Sequence, residues 1–125
     1  MSVRLSPDAF QELVADALDS LPSEVLELLD NVDVHTAFWP SVDQLEETGI
    51  RNGYGLLGLY EGTPLTDRGH YNFALPDRVT LFQRPLEAIC STHEELERQV
   101  QVTVVHELAH HFGWSDEEID RMGFG

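Results

Sequence analysis

The order of sequence patterns along the chain predicts an α+β domain in which a small mixed sheet is backed by helices. Two long amphipathic segments frame three short segments rich in β-branched and aromatic residues, in the order helix, strand, strand, strand, helix. The chain has 125 residues, 42% of them apolar, which suffices for one buried core and leaves little room for a second. We therefore expect residues 1–125 to form a single domain.

The first predicted helix covers residues 7–20. Ser6 can cap it, and Pro7 suits its first position, where no backbone N–H is needed. Apolar side chains then recur at helical spacing, and a second, short helix is expected at 23–29.

Three segments are predicted to be strands, at 31–39, 54–60 and 78–83, because they combine β-branched and aromatic residues between turn signals. The second contains two glycines, which indicates a bulge or a close approach of its backbone to a neighbour. The acidic residues 41–53 are expected to form a loop. Residues 61–77 are expected to be a long connection, and a connection of that length is usually functional.

A long helix is predicted to run to about Phe112. Ser91 or Thr92 can cap its start, with Glu95 reaching back as in a capping box. Gly113 suits the left-handed turn that ends many helices. Shorter helical pieces are expected at 85–90 and 115–122.

Charge and composition exclude several classes of function. The formal net charge of −16 argues against partners such as nucleic acids and anionic membranes. All positive charge comes from arginine, so lysine-based chemistry is excluded. Cys90 is the only cysteine, which fits a reducing cytoplasm. Residues 1–20 carry four acids where a signal peptide would be apolar, and no stretch is long enough to span a membrane. We therefore expect a cytoplasmic protein.

The long helix carries the most informative motif, His106-Glu107-Leu108-Ala109-His110. Two histidines four residues apart lie about 40° apart around a helix and one turn along it. Two neutral imidazoles at that spacing can bind one zinc ion, Zn²⁺, with Glu107 beside the metal as a non-ligand.

Asp116 is the predicted third ligand. Gly113 permits a chain reversal after His110, so that Asp116 can return towards the metal. Three protein ligands leave a fourth position for water, as in catalytic zinc sites. The alternative is that Asp116 is only the N-cap of the last helix, and both roles can coexist.

This arrangement predicts peptide or amide hydrolysis. Zinc lowers the pKa of a bound water to about 7, and Glu107 can take its proton and pass it to the departing amine. His70 and Tyr71 in the long connection, and Tyr60 in the second strand, are candidates for contacting substrate or stabilising the oxyanion. The alternative is that these three are ordinary loop and strand residues. His111 is expected to be structural.

Beyond these residues, nearly the whole chain resembles the small bacterial zincin-like metallopeptidases, or minimal zincins. The resemblance rests on the metal helix and on segments that include Leu56-Leu57-Gly58-Leu59-Tyr60-Glu61-Gly62, Pro64-Leu65-Thr66, Leu75-Pro76-Asp77, Thr103-Val104-Val105-His106-Glu107 and His110-His111-Phe112-Gly113. It implies a compact zincin-like fold and a single zinc ion. By position, the implied ligands are His106, His110 and Asp116, and the implied catalytic residue is Glu107.

The sequence therefore predicts a zinc metallopeptidase that acts on an extended peptide or protein substrate laid beside a sheet edge. Two alternatives stay open. One is a non-catalytic metal-binding or interaction domain that keeps the zincin fold, and the other is a zinc hydrolase acting on another amide or ester.

Overall fold

A computed structural model describes residues 2–62 and 77–125 of the chain. Six α-helices and three β-strands lie within those ranges, and they are numbered here in chain order. The helices are α1 Pro7–Asp19, α2 Ser23–Leu29, α3 Val42–Thr48, α4 Gln83–Ala88, α5 His93–Phe112 and α6 Asp116–Arg121. The strands are β1 Val32–Ala37, β2 Gly58–Glu61 and β3 Asp77–Phe82. The α+β class is confirmed.

The sheet is mixed and has the strand order β1-β3-β2. β1 runs parallel to β3, with Val34 opposite Val79. β2 runs antiparallel to β3, with Tyr60 opposite Val79. β3 is therefore the central strand of the described sheet, and β2 lies beside the helix that carries the predicted metal motif.

One hydrophobic core lies between the sheet and the helices α1 and α5. The apolar stripe of α1 and the central strand supply fully buried side chains such as Phe10, Val79 and Leu81. The buried residues of α5 are Leu96, Val100, Thr103, Val104, Val105, Leu108 and Ala109. Val100 and Thr103 are among these buried residues, and both β2 and α1 pack against this helix. Within the described ranges, no helix has both the length and the apolar character to cross a membrane.

Local hydrogen bonds set the two ends of α5. At its start, the Thr92 hydroxyl accepts a hydrogen bond from the backbone N–H of Glu95 at 3.1 Å. The Glu95 carboxylate in turn accepts from the backbone N–H of Ser91 at 2.7 Å, one residue before the cap. At its end, Gly113 adopts φ 72°, the left-handed conformation that favours glycine. The predicted cap by Thr92 and the glycine stop are confirmed. The capping box is not formed as predicted, because the Glu95 side chain reaches the N–H of Ser91 and not that of Thr92.

The prediction of a loop over 41–53 was wrong. α3 occupies its first part because Ser41 and Gln44 cap it reciprocally: the Ser41 hydroxyl accepts from the Gln44 amide, and the Gln44 side chain accepts from the Ser41 amide. A short 3₁₀ turn follows at Gly53–Gly55. β2 consequently begins at Gly58, later than the predicted strand. The segment was predicted to be a loop because it is acidic, but the capping pattern of Ser41 and Gln44 starts a helix there despite that composition.

Candidate active site

α5 and β2 form the candidate site between them. His106, Glu107 and His110 follow one another along α5, as the helical spacing predicts. The His110 side chain is 77% exposed, whereas that of Glu107 is only 22% exposed and lies under the edge of β2. The glutamate is therefore partly shielded from water, while the second histidine is open to it.

The Glu107 carboxylate is held between two elements. Its Oε1 accepts a hydrogen bond from the backbone N–H of Tyr60 at 3.0 Å. Its Oε2 lies 3.9 Å from Nδ1 of His110. Burial raises the pKa of Glu107 above its ordinary value, and the Tyr60 hydrogen bond and the charges of His110 and His106 oppose that rise. A carboxylate that is fixed in place and has a raised pKa is suited to accept and return a proton.

The Tyr60 side chain fastens the strand that supplies this amide. Its ring stacks on His111 with the centroids 4.0 Å apart. Its hydroxyl donates to Oδ2 of Asp77 at 2.7 Å. Nε2 of His111 lies 4.0 Å from the same Asp77 oxygen. His111 thus packs against Tyr60, in agreement with its predicted structural role. The contribution of Asp77 was missed, because its pairing with Tyr60 depends on the register of β2 and β3.

His106 forms a hydrogen bond with the segment after α6, which was not predicted from the sequence to be part of the site. Its Nε2 lies 2.7 Å from the backbone carbonyl oxygen of Phe124, which follows α6. A carbonyl oxygen only accepts hydrogen bonds, so Nε2 carries the hydrogen in this arrangement. The Phe124 side chain is itself buried, with 5% of its surface exposed. Eighteen residues separate the two partners, and no local pattern signals such a contact.

Asp116 lies exposed in the first turn of α6. The N-cap of that helix is Ser115, whose hydroxyl accepts from the Glu118 amide at 3.2 Å, so the alternative that Asp116 is the N-cap was wrong. Over residues 2–62 and 77–125, no three His, Cys, Asp or Glu side chains are gathered closely enough to hold a metal ion. The zinc ligand set therefore stays a prediction. His70 and Tyr71 lie outside the described residues.

The chemistry of the donors nevertheless suits zinc. Two imidazoles one helical turn apart, with Asp116 a short distance along the chain, are ligands of the kind that Zn²⁺ takes in catalytic sites. What the described arrangement lacks is convergence, because Nε2 of His106 faces Phe124. The residues fit the metal in kind, although the described arrangement does not bring three of them together.

An apolar cavity of about 320 Å³ adjoins Glu107 and His106. Side chains from three parts of the chain line it, including Ile50, Leu56 and Val102. Its position beside the carboxylate makes it a candidate binding place for an apolar group.

A sequence model of a family described as zincin-like metallopeptidases matches residues 29–125, which include the three described strands, α5 and α6. No curated protein matches the chain. The family match covers more than half of the sequence and includes Glu107, His106 and His110. The chain therefore belongs to the zincin-like metallopeptidase family.

Proposed function

We propose that this protein is a zinc-dependent peptidase, with His106, His110 and Asp116 as ligands of one zinc ion and Glu107 as the general base. The observation that carries the proposal is the placement of Glu107. Its carboxylate is partly shielded from solvent and accepts a hydrogen bond from the Tyr60 amide. It also lies next to His110 and borders an apolar cavity. A zinc ion, when bound, would supply a water molecule of lowered pKa and would polarise the substrate carbonyl.

Glu107 would accept the proton of the attacking water and later donate it to the leaving amine. With Oε1 held by the Tyr60 amide, Oε2 is the oxygen that faces His110 and is placed to accept a proton. The partial burial that raises the pKa of Glu107 lets the carboxyl keep that proton long enough to donate it to the leaving amine. A fully exposed glutamate would lose the proton to water more readily.

The surroundings of Glu107 favour an extended peptide as the substrate. Backbone groups of a strand alternate in direction, and the Tyr60 amide points away from β3 towards Glu107. A peptide laid along this side of β2 would pass the carboxylate. The neighbouring cavity, lined by residues such as Leu56 and Val102, would receive an apolar side chain of that peptide.

The decisive experiment is digestion of a diverse peptide mixture by zinc-loaded protein, analysed by mass spectrometry beside Glu107→Gln. Because glutamine is nearly isosteric but accepts no proton, the variant should bind zinc with similar affinity and lose cleavage by a factor of about 10² or more. The apolar cavity predicts that cleavage sites will be enriched in apolar residues next to the cut. Cleavage that persists in Glu107→Gln would remove the glutamate from the mechanism.

The zinc ligands need a separate measurement. Asp116→Ala should weaken zinc affinity, whereas Glu117→Ala, which removes a neighbouring exposed acid from the same turn, should not. Equal affinities in the two variants would exclude Asp116 as a ligand. If zinc binds at one ion per chain and no peptide is cut, the non-catalytic metal-binding domain becomes the better account.

A further inference from the structure

The residues that follow α6 contact α5, the helix that carries His106 and His110. Gly123 takes a positive φ of 89°, and its N–H bonds the Asp120 carbonyl. The chain then turns so that the Phe124 N–H donates to the Ile119 carbonyl at 3.1 Å. We call Gly123 and Phe124 the strap. Because it is hydrogen-bonded at both residues, the strap is a defined piece of structure.

Arg98 fastens the strap to α5. Its guanidinium donates a hydrogen bond to the Gly123 carbonyl oxygen. It also lies over the Phe124 ring, 4.6 Å from the centroid, in a cation–π arrangement. Arg98 itself is exposed, and these two contacts join its guanidinium to both residues of the strap. Both contacts hold the Phe124 carbonyl at the site of its bond to His106.

The strap and a metal ion require different states of His106. The bond to Phe124 uses Nε2 as a donor, so that nitrogen has no lone pair to offer. Nε2 is the ring nitrogen farther from the backbone, and is thus the one best able to reach an ion shared with another side chain of the helix. His110 has its Nδ1 towards Glu107, which leaves its own Nε2 as the nitrogen on the far side. Binding by both outer nitrogens requires His106 to leave the Phe124 carbonyl.

We propose that the strap competes with the metal ion for His106, so that zinc binds only as the Phe124 carbonyl releases the imidazole. This inference rests on the proposed function, because it takes His106 as a ligand. It makes the strap a regulator of metal loading: whatever stabilises its bond to His106 lowers the apparent zinc affinity. The affinity observed is the intrinsic one multiplied by the fraction of molecules in which His106 is free.

The test is the zinc affinity of Arg98→Ala, measured by competition with a chromophoric chelator. Loss of both strap contacts should raise the affinity about three- to tenfold, which is the range expected for weakening one hydrogen-bonded closure. Removing an arginine from a protein of net charge −16 also attracts cations in general. Arg121→Ala is therefore the matched control, since it removes the same charge from exposed α6 and should leave the affinity within twofold.

A second measurement follows the bond itself. In ¹⁵N-histidine NMR spectra of metal-free protein, His106 should show a hydrogen on Nε2, and zinc should convert Nε2 to the ligating, unprotonated nitrogen. Phe124→Leu, which keeps an apolar side chain but removes the ring under Arg98, should shift the affinity in the same direction as Arg98→Ala. This variant serves if Arg98→Ala folds poorly.

The outcomes separate the inference from the proposed function. Unchanged or weaker zinc affinity in Arg98→Ala, with one zinc still bound by the wild type, would overturn the competition and leave the peptidase proposal standing. Zinc ligated through Nδ1, with Nε2 still protonated, would also overturn it, because the strap would then support the ligand. If neither protein binds zinc, the proposed function itself fails and the inference fails with it.

Discussion

The contact between β2 and α5 can be tested through a single glycine. Gly58 begins β2, and a Cβ at this position would lie 2.7 Å from Cγ2 of Thr103 and 3.3 Å from the backbone oxygen of Thr80. Its φ is not positive, so backbone conformation does not require glycine there. The close approach of strand and helix is the reason, as one of the two explanations for glycines in this strand predicted. We therefore consider Gly58→Ala.

The magnitude follows from how little the neighbours can move. Thr103 is 7% exposed on a packed helix, and its branched side chain has few alternative rotamers. The Thr80 oxygen belongs to the central strand. Overpacking of this kind costs about 1–3 kcal/mol, and replacing glycine by alanine in a strand recovers about 0.5–1 kcal/mol. We expect a net loss of about 1–2 kcal/mol in the free energy of unfolding.

The assay is urea unfolding of a double-mutant cycle. Thr103→Ser removes the Cγ2 methyl that the new Cβ would meet, and alone should cost about 1 kcal/mol. Added to Gly58→Ala it should be neutral or stabilising, which gives a coupling energy of about 1–2 kcal/mol. Gly53→Ala is the control glycine, because its Cβ would meet only the Trp39 side chain at 3.5 Å, an ordinary contact. The reasoning is refuted if Gly58→Ala is as stable as the wild type, or if Thr103→Ser does not rescue it.

Three further predictions concern charge and helix ends. Since burial raises the pKa of Glu107, its contribution to stability is fully present below its ordinary pKa and is lost as pH rises through the higher folded value. Glu107→Gln should therefore stabilise the chelator-treated protein at neutral pH but not at acidic pH, and parallel melting curves at both would contradict this. Glu87 is 2% exposed and accepts bonds from the Leu5 amide and from Arg84, both at 2.7 Å, so Glu87→Ala should cost about 3 kcal/mol in urea unfolding. A loss below 1 kcal/mol would show that this network contributes little. Gly113→Ala should cost about 1 kcal/mol, because alanine strains at φ 72°, and an unchanged melting temperature would exclude that strain.

The fold could be predicted as far as its signals are local. The Ser6 cap, the Thr92 and Glu95 pair and Gly113 each act within a few residues, and the helices they bound agree with the sequence. α3 carries an equally local signal in Ser41 and Gln44, which was overlooked because the segment was judged by its acidity. Strand order had no such signal. Placing β3 between β1 and β2 depends on contacts across the whole chain.

The candidate site divides in the same way. The spacing of His106, Glu107 and His110 is a property of one helix and could be predicted from the sequence. The groups that orient them come from elsewhere: Tyr60 from β2, and Phe124 from the strap. Neither could be predicted, because the position of each depends on packing between elements that are 18 residues or more apart in sequence.

Both orienting contacts use backbone atoms, and this bears on how the site works. A backbone N–H can only donate, so the Tyr60 amide favours an ionised Glu107 that accepts. A backbone carbonyl can only accept, so Phe124 favours a His106 that carries hydrogen on Nε2. The first contact prepares the glutamate for its proposed role as a base, while the second withholds the histidine from its proposed role as a ligand. Because the two contacts come from different elements, either can change without the other. In such a site the general base is already positioned, and activity would depend on whether His106 is free to bind zinc. The affinity for zinc would therefore depend on the strap more than on β2.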